Sequence, residues 1–268
     1  MPMQYETIRY GVAEGVATLT FNRPKAMNAF DPAMIADTRA AVAAAIEDRA
    51  VKVLILTGEG RAFSAGADLA AGGGAPAGMS VGEGVAHSME IGFNPMAREL
   101  FGCPKPVIAA VNGVTAGGGV GVALAADIVV AARSAYFVQV FVPALGLIPD
   151  VGCTYFLPRL IGHARSRALA LLGDRLPAED AERWGLIWKC VDDEALMDEA
   201  HAIAARLSAA GPLAIAQTKR ALDQSWHNTL ADQLDLEKQI QGGLGDSKDF
   251  LEGVSAFLQK RRPTFTGT

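Results

Sequence analysis

The stretch from Asn112 to Gly121 constrains this chain most. It reads Asn112-Gly113-Val114-Thr115-Ala116-Gly117-Gly118-Gly119-Val120-Gly121. An apolar run, Pro106–Val111, leads into it and reads as a buried strand. Val122–Ala126 continues as an apolar, alanine-rich run that reads as a buried helix. A strand, a glycine turn and a helix start leave backbone N–H groups free, and glycine lets a ligand approach them closely. Two phosphate-binding patterns fail on spacing. In the dinucleotide pattern G-x-G-x-x-G, Gly117 and Gly119 fit but Val122 holds the last position. In the P-loop pattern, Gly113 and Gly118 fit but Gly119-Val120 replaces Lys-Ser/Thr. Close strand–helix packing through glycine is the plain alternative.

A length of 268 residues allows one large domain, or one domain with a small helical extension. The chain is 50% hydrophobic and 20% charged, enough to bury a sizeable core. A net charge of −5 gives no global attraction to nucleic acid or an anionic membrane, so neither is an expected partner. Cys103, Cys153 and Cys190 lie far apart without metal-type spacing, so no metal is expected and a reduced, cytoplasmic setting is. The N-terminus has neither signal nor transit character, and the apolar run Val120–Ala132 is too short and too interrupted to span a bilayer.

Along the chain, Ile8–Phe21 reads as a strand pair turning at Ala13-Glu14-Gly15. Asp31-Pro32 caps a helix to about Asp48, and Val51–Thr57 is a buried strand. Arg61–Leu69 reads as a loop, Ala70–Gly84 as a mobile surface loop and Val85–Phe101 as a helix. A strand at Ile128–Ala132, an extended segment at Ala135–Val142 and helices at Gly152–Ile161, His163–Leu172 and Ala178–Trp184 follow. Strand–helix alternation predicts an α/β core over residues 1–195 and a helical region over 196–268.

Ala65-Gly66-Ala67-Asp68-Leu69 also follows a buried strand. Two such turns can aim two main-chain N–H groups at one oxygen, forming an oxyanion hole for an enolate or a tetrahedral intermediate. The chain resembles the enoyl-CoA hydratase/isomerase (crotonase) superfamily. The resemblance rests on Phe21-Asn22-Arg23-Pro24 with Asn28-Ala29, Ala62–Leu69, and Ala110–Gly113 with Ala116–Gly119. It continues in Gly146-Leu147-Ile148-Pro149-Asp150, Pro158-Arg159-Leu160-Ile161-Gly162 and Phe257 with Lys260-Arg261, in family order over nearly the whole chain.

The resemblance implies a spiral of ββα units with a C-terminal helical trimerisation region, and a homotrimer or dimer of trimers. It implies an acyl-CoA thioester substrate, with coenzyme A as part of the substrate and no separate cofactor. It makes the N–H groups of Ala67 and Gly118 the oxyanion pair. It places Lys25, Ala26 and Met27, with Ala65, Asp68 and Leu69, along the coenzyme A, and Lys260 near its phosphates. Val120, Gly121 and Val142 fall at the acyl pocket.

The family's hydratases carry two glutamates, at the positions held here by Gly121 and Val142. Neither residue transfers protons. Asp150 is the carboxylate left in that neighbourhood. Its ordinary reading is a helix N-cap, but the same position carries the catalytic aspartate of several isomerases in the family. The expected activity is therefore an isomerase moving a C=C bond, with Asp150 as acid and base. An enoyl-CoA hydratase with a non-standard acid and a non-catalytic acyl-CoA-binding homologue are the alternatives. Glu83, His87 and Glu90 read as solvated surface groups, Tyr155 as core, and Trp184 and Trp188 as packing anchors.

Overall fold

The computed structural model describes residues 5–71 and 75–268. In chain order the strands are Ile8–Ala13 (β1), Val16–Phe21 (β2), Val53–Gly58 (β3), Ala62–Ser64 (β4) and Val107–Val111 (β5). Val114–Ala116 (β6), Ile128–Ala132 (β7), Tyr136–Val138 (β8), Leu176–Pro177 (β9) and Lys189–Val191 (β10) complete them. Two sheets result among the described residues, ordered β1-β2-β3-β5-β7-β10 and β4-β6-β8-β9. β3, β5 and β7 each send the chain from the first sheet into a short strand of the second. This is the expected ββα spiral. β2, β3, β5 and β7 pair in parallel, and β5 is buried along its whole length, as a sheet covered on both faces requires.

Several boundaries depart from the sequence reading. β4 and β6 lie where loops are expected, because three-residue strands flanked by glycine carry no readable period. The helix expected from Val85 begins at Val81 (α2, Val81–Ser88, after α1 at Pro32–Glu47). Ser80 accepts from the Glu83 N–H and the Glu83 carboxylate accepts from the Ser80 N–H, so Glu83 is spent on a capping box. A π turn, Met89–Phe93, joins α2 to α3 (Asn94–Phe101). Of the expected loop Ala70–Gly84, residues 72–74 lie outside the described ones. The glycine turn opens a short buried helix, α4 (Gly118–Leu124). The two expected helices after Asp150 are one element, α5 (Cys153–Leu172), broken at Gly162 where φ is 74° and ψ 166°. Trp188 is 67% exposed, so it anchors nothing within this chain.

α6 (Ala178–Trp184) and α7 (Leu196–Ser208) return to the core, α7 burying Leu196, Ala200, Ile203 and Ala204. α8 (Pro212–Ser225), α9 (Leu230–Gly245) and α10 (Lys248–Leu258) pack in sequence on one another. No residue of α8 or α9 is buried. Leu230 and Phe257 stand 76% and 83% exposed. One lysine ties α8 to the core. Lys219 Nζ reaches Asp127 Oδ2 at 2.7 Å and donates to the carbonyls of Cys103 at 2.6 Å and Lys105 at 3.2 Å. Burial pushes the Asp127 pKa up, and Lys219 works against that shift. Removing the lysine takes the donor from a part-exposed carboxylate and from two carbonyls. K219M should therefore lose about 2–3 kcal/mol, read as a fall in Tm of roughly 5–10 °C by calorimetry.

Candidate active site

The two suspected turns meet through glycine. Gly66 has φ 88°, and a side chain there would place its Cβ 2.9 Å from the Ala116 carbonyl oxygen and 3.1 Å from the Gly118 nitrogen. Gly117 has φ 53° and ψ −126°, a conformation open to glycine alone. A Cβ at Gly119 would press into the Ser64 carbonyl oxygen at 2.6 Å. The glycines thus let β4, β6 and the start of α4 close on each other with no side chain between.

Among the described residues, hydrogen bonds fix which way the backbone of the two turns faces. Phe30 N–H donates to the Gly66 carbonyl at 2.7 Å, and Asp68 N–H donates to the Phe30 carbonyl at 3.0 Å. Phe30 and Ala67 therefore form a parallel bridge. Alternate N–H groups of extended chain point to opposite sides, so the Ala67 N–H is turned away from Phe30. Gly117 N–H donates to the Val138 carbonyl at 3.0 Å. Gly118 opens α4, where first-turn N–H groups have no intrahelical acceptor. Among the described residues, neither the Ala67 N–H nor the Gly118 N–H has a backbone acceptor, and Gly66, the neighbour of Ala67, lies against the Gly118 nitrogen.

The loop carrying Ala67 is held by a polar network. Arg23 Nη1 pairs with Asp68 Oδ2 at 2.9 Å and donates to the Ala29 carbonyl, while Nη2 pairs with Asp31 Oδ2 at 3.1 Å. The Asp68 carboxylate also accepts from the N–H groups of Ala70 and Ala71. Burial raises the Asp68 pKa, and its bonds to Arg23, Ala71 and Ala70 outweigh that, so the net shift is downward. Asn28, fully buried, accepts from the Arg23 N–H and donates to the carbonyls of Glu59 and Ala62. Ala65 N–H donates to the Met27 carbonyl at 3.0 Å. The Lys25–Met27 turn and the Ala65–Leu69 loop are thus neighbours, with Lys25, Ala67 and Leu69 exposed. Asp68 offers a ligand only its backbone, because its side chain is engaged. Lys260 is exposed in the turn after α10, and no hydrogen bond or ion pair of its side chain joins it to these residues.

Asp150 does not cap α5. The cap residue is Gly152, at φ 81°, and no side chain bonds to that helix end. The Asp150 Oδ1 instead lies 3.6 Å from where a Cβ on Gly118 would sit. That oxygen is buried and has no hydrogen-bond partner among the described residues. Burial pushes the carboxyl up to about 6, against a smaller opposing bond from its own backbone. The nearby Cys153 thiol is pushed up to about 12 by burial, so it is a neutral core group.

The position where a second acid would be needed is closed. A side chain at Gly121 would drive its Cβ into the Val151 carbonyl oxygen, with the Val151 carbonyl carbon at 2.9 Å. Val120, expected on the acyl pocket, is 1% exposed and lines a small internal cavity with Phe137, Leu157 and Leu169. It belongs to the core. Val142 is half-buried in a π turn, Phe141–Leu145, where an extended segment was expected. Arg23, Asn28 and Val151 support the site but carry no sequence signal of that role beyond their motif neighbours.

The arrangement sets a carboxyl whose pKa burial pushes up to about 6 beside a glycine turn that opens a helix, where first-turn backbone N–H groups lack an intrahelical acceptor. The model of the enoyl-CoA hydratase/isomerase family matches residues 11–268. The chain is 48% identical to 1,2-epoxyphenylacetyl-CoA isomerase of Escherichia coli, covering 98% of this chain and 99% of that protein. It is 44% identical to a probable enoyl-CoA hydratase of Rhodobacter capsulatus, covering 99% and 100%. Among solved structures, enoyl-CoA hydratase from Bacillus anthracis superposes with a TM-score of 0.91 at 34% identity, covering 98% of this chain and 100% of that one.

The raised Asp150 pKa has a cost in stability. Between the ordinary value of 3.8 and about 6 the folded protein keeps a proton that the unfolded chain has released. Stability therefore falls as pH rises through that window, and the full cost is present above it. A shift of this size is worth roughly 3 kcal/mol when undiscounted, and about 1–2 kcal/mol once partial solvent access is allowed for. D150N should be more stable than the parent at pH 8, with the gain vanishing at pH 4, as read by denaturant melts at the two pH values.

Proposed function

The chain belongs to the enoyl-CoA hydratase/isomerase family, and from that premise we propose that it is an acyl-CoA isomerase with a single carboxylate as acid and base. The thioester oxygen of a 3-enoyl-CoA lies between the N–H groups of Ala67 and Gly118. Asp150 removes a proton from the α-carbon, and the electron pair passes into a dienolate whose charge rests on that oxygen. Asp150 then returns the proton to the γ-carbon, giving the conjugated 2-enoyl-CoA. Nothing is gained or lost, so one carboxylate suffices. Hydration needs water activated and a proton delivered, and of the two positions where the family's hydratases carry glutamates Gly121 is closed and Val142 is apolar.

One observation carries this reading: a buried, unpartnered Asp150 oxygen beside Gly118. The relative named 1,2-epoxyphenylacetyl-CoA isomerase supports including an aromatic acyl-CoA epoxide among the substrates tested. Lys25–Met27 and Ala65–Leu69 border the coenzyme A in this reading. The exposed apolar side chains of α8–α10 pack between copies of the chain in a trimer or dimer of trimers, with Lys260 meeting coenzyme A phosphates across that boundary. Light scattering should then give three or six chains per particle, and a monomer would contradict it.

Turnover separates the readings. The isomerase should convert 3-enoyl-CoA faster than it hydrates 2-enoyl-CoA, and D150N should lower kcat by at least about 100-fold with KM little changed. Because the base must be ionised, kcat/KM should fall as pH drops below about 6. Faster hydration than isomerisation favours the hydratase alternative. Coenzyme A binding without any turnover favours the non-catalytic one.

A further inference from the structure

Asp150 lacks what usually aims a catalytic carboxylate. Among the described residues its buried oxygen has no hydrogen-bond partner, and only its own backbone bonds to the carboxylate. Its orientation must come from its backbone and from packing. The next residue, Val151, has φ 49°, in the left-handed region that a β-branched side chain rarely enters. Gly152 follows at φ 81°, and the Cys153 N–H donates to the Asp150 carbonyl at 2.9 Å, closing the turn into α5.

Val151 is 2% exposed and sits against both glycines of α4 that matter here. A Cβ on Gly118 would lie 3.0 Å from Val151 Cγ2, and one on Gly121 would lie 2.9 Å from Val151 Cβ. We infer that Val151 is a positioning residue: its side chain, wedged against Gly118 and Gly121, holds the left-handed turn that sets the Asp150 carboxylate beside the Gly118 N–H and keeps water from it. Strained backbone persists only where packing over-determines it, and it gathers at functional sites. Here the absence of side chains at Gly118 and Gly121 makes room for the wedge. The same wedge closes the position of a second acid. Among the described residues no charged side chain contributes to the shift of Asp150. The titratable neighbour is the Cys153 thiol, which is neutral.

This inference rests on the proposed role of Asp150 but is testable apart from it. The probe is the 13C NMR titration of the Asp150 carboxyl, assigned by its loss in D150N, in the full-length protein without ligand. Glycine accepts positive φ freely, so V151G should fold, with no side chain left to hold the turn in one position. V151A is the companion should V151G fail to fold. Either variant admits water, and Asp150 should titrate below about 5 instead of near 6. Isomerase kcat should fall about 10–100-fold with KM within twofold, the signature of a misplaced reacting group. V151T, which keeps the β-branched wedge, should restore most of the lost kcat. An unmoved titration in V151G or V151A overturns the inference, as does a V151T variant as slow as V151G. A D150N enzyme with normal turnover defeats the catalytic reading, and a V151G enzyme at full kcat beside an inactive D150N defeats only the wedge.

Discussion

The contact between Gly66 and the Ala116–Gly118 turn is the constraint on which the rest depends. A side chain at Gly66 would meet the Ala116 carbonyl oxygen at 2.9 Å, so the two loops approach only because none is there. That approach brings the Ala67 loop against the start of α4 at Gly118. Everything around it works to hold the two segments still. β4 and β6 pair in parallel just before each turn. Arg23 binds Asp31 and Asp68 across the loop, and Asn28 fastens the same loop to the Ala62 carbonyl. The donors carry no side chains, so their geometry is a property of the whole local fold.

The acid is built on an opposite principle. Asp150 has one buried oxygen without a partner among the described residues, and burial outweighs the single bond from its own backbone, so its carboxyl is pushed up to about 6. Burial that raises its pKa also makes its ionised form costly to the fold. A hydrogen-bonded N-cap at the same position would have done the reverse, giving stability and a low pKa.

Much of the frame is legible in the sequence because its elements are long or clearly punctuated. β3, β5 and β7 are apolar runs, α1 begins at Asp31-Pro32 with Asp31 accepting from Met34 N–H, and α6 matches its expected bounds. The second sheet is less legible, since β4, β6 and β8 span three residues each and show no period. The site divides in the same way. The glycine turns point to backbone chemistry from their spacing alone. Assigning Ala67 and Gly118 needs the family resemblance, because a main-chain donor leaves no side-chain signature. Asp150 reads first as a cap, and only the three-dimensional contact with Gly118 shows its carboxylate turned elsewhere. Val120 reads as pocket wall but is core, because every side of α4 is covered.

In the proposed reaction one carboxylate moves one proton between two carbons. The most direct test uses a 3-enoyl-CoA deuterated at its α-carbon, turned over in ordinary water under single-turnover conditions, with the product read by NMR. Transfer by Asp150 alone should leave measurable deuterium at the γ-carbon, carried there on the same carboxyl. A γ-carbon bearing only solvent hydrogen, from an enzyme that turns over equally fast as D150N, would contradict it.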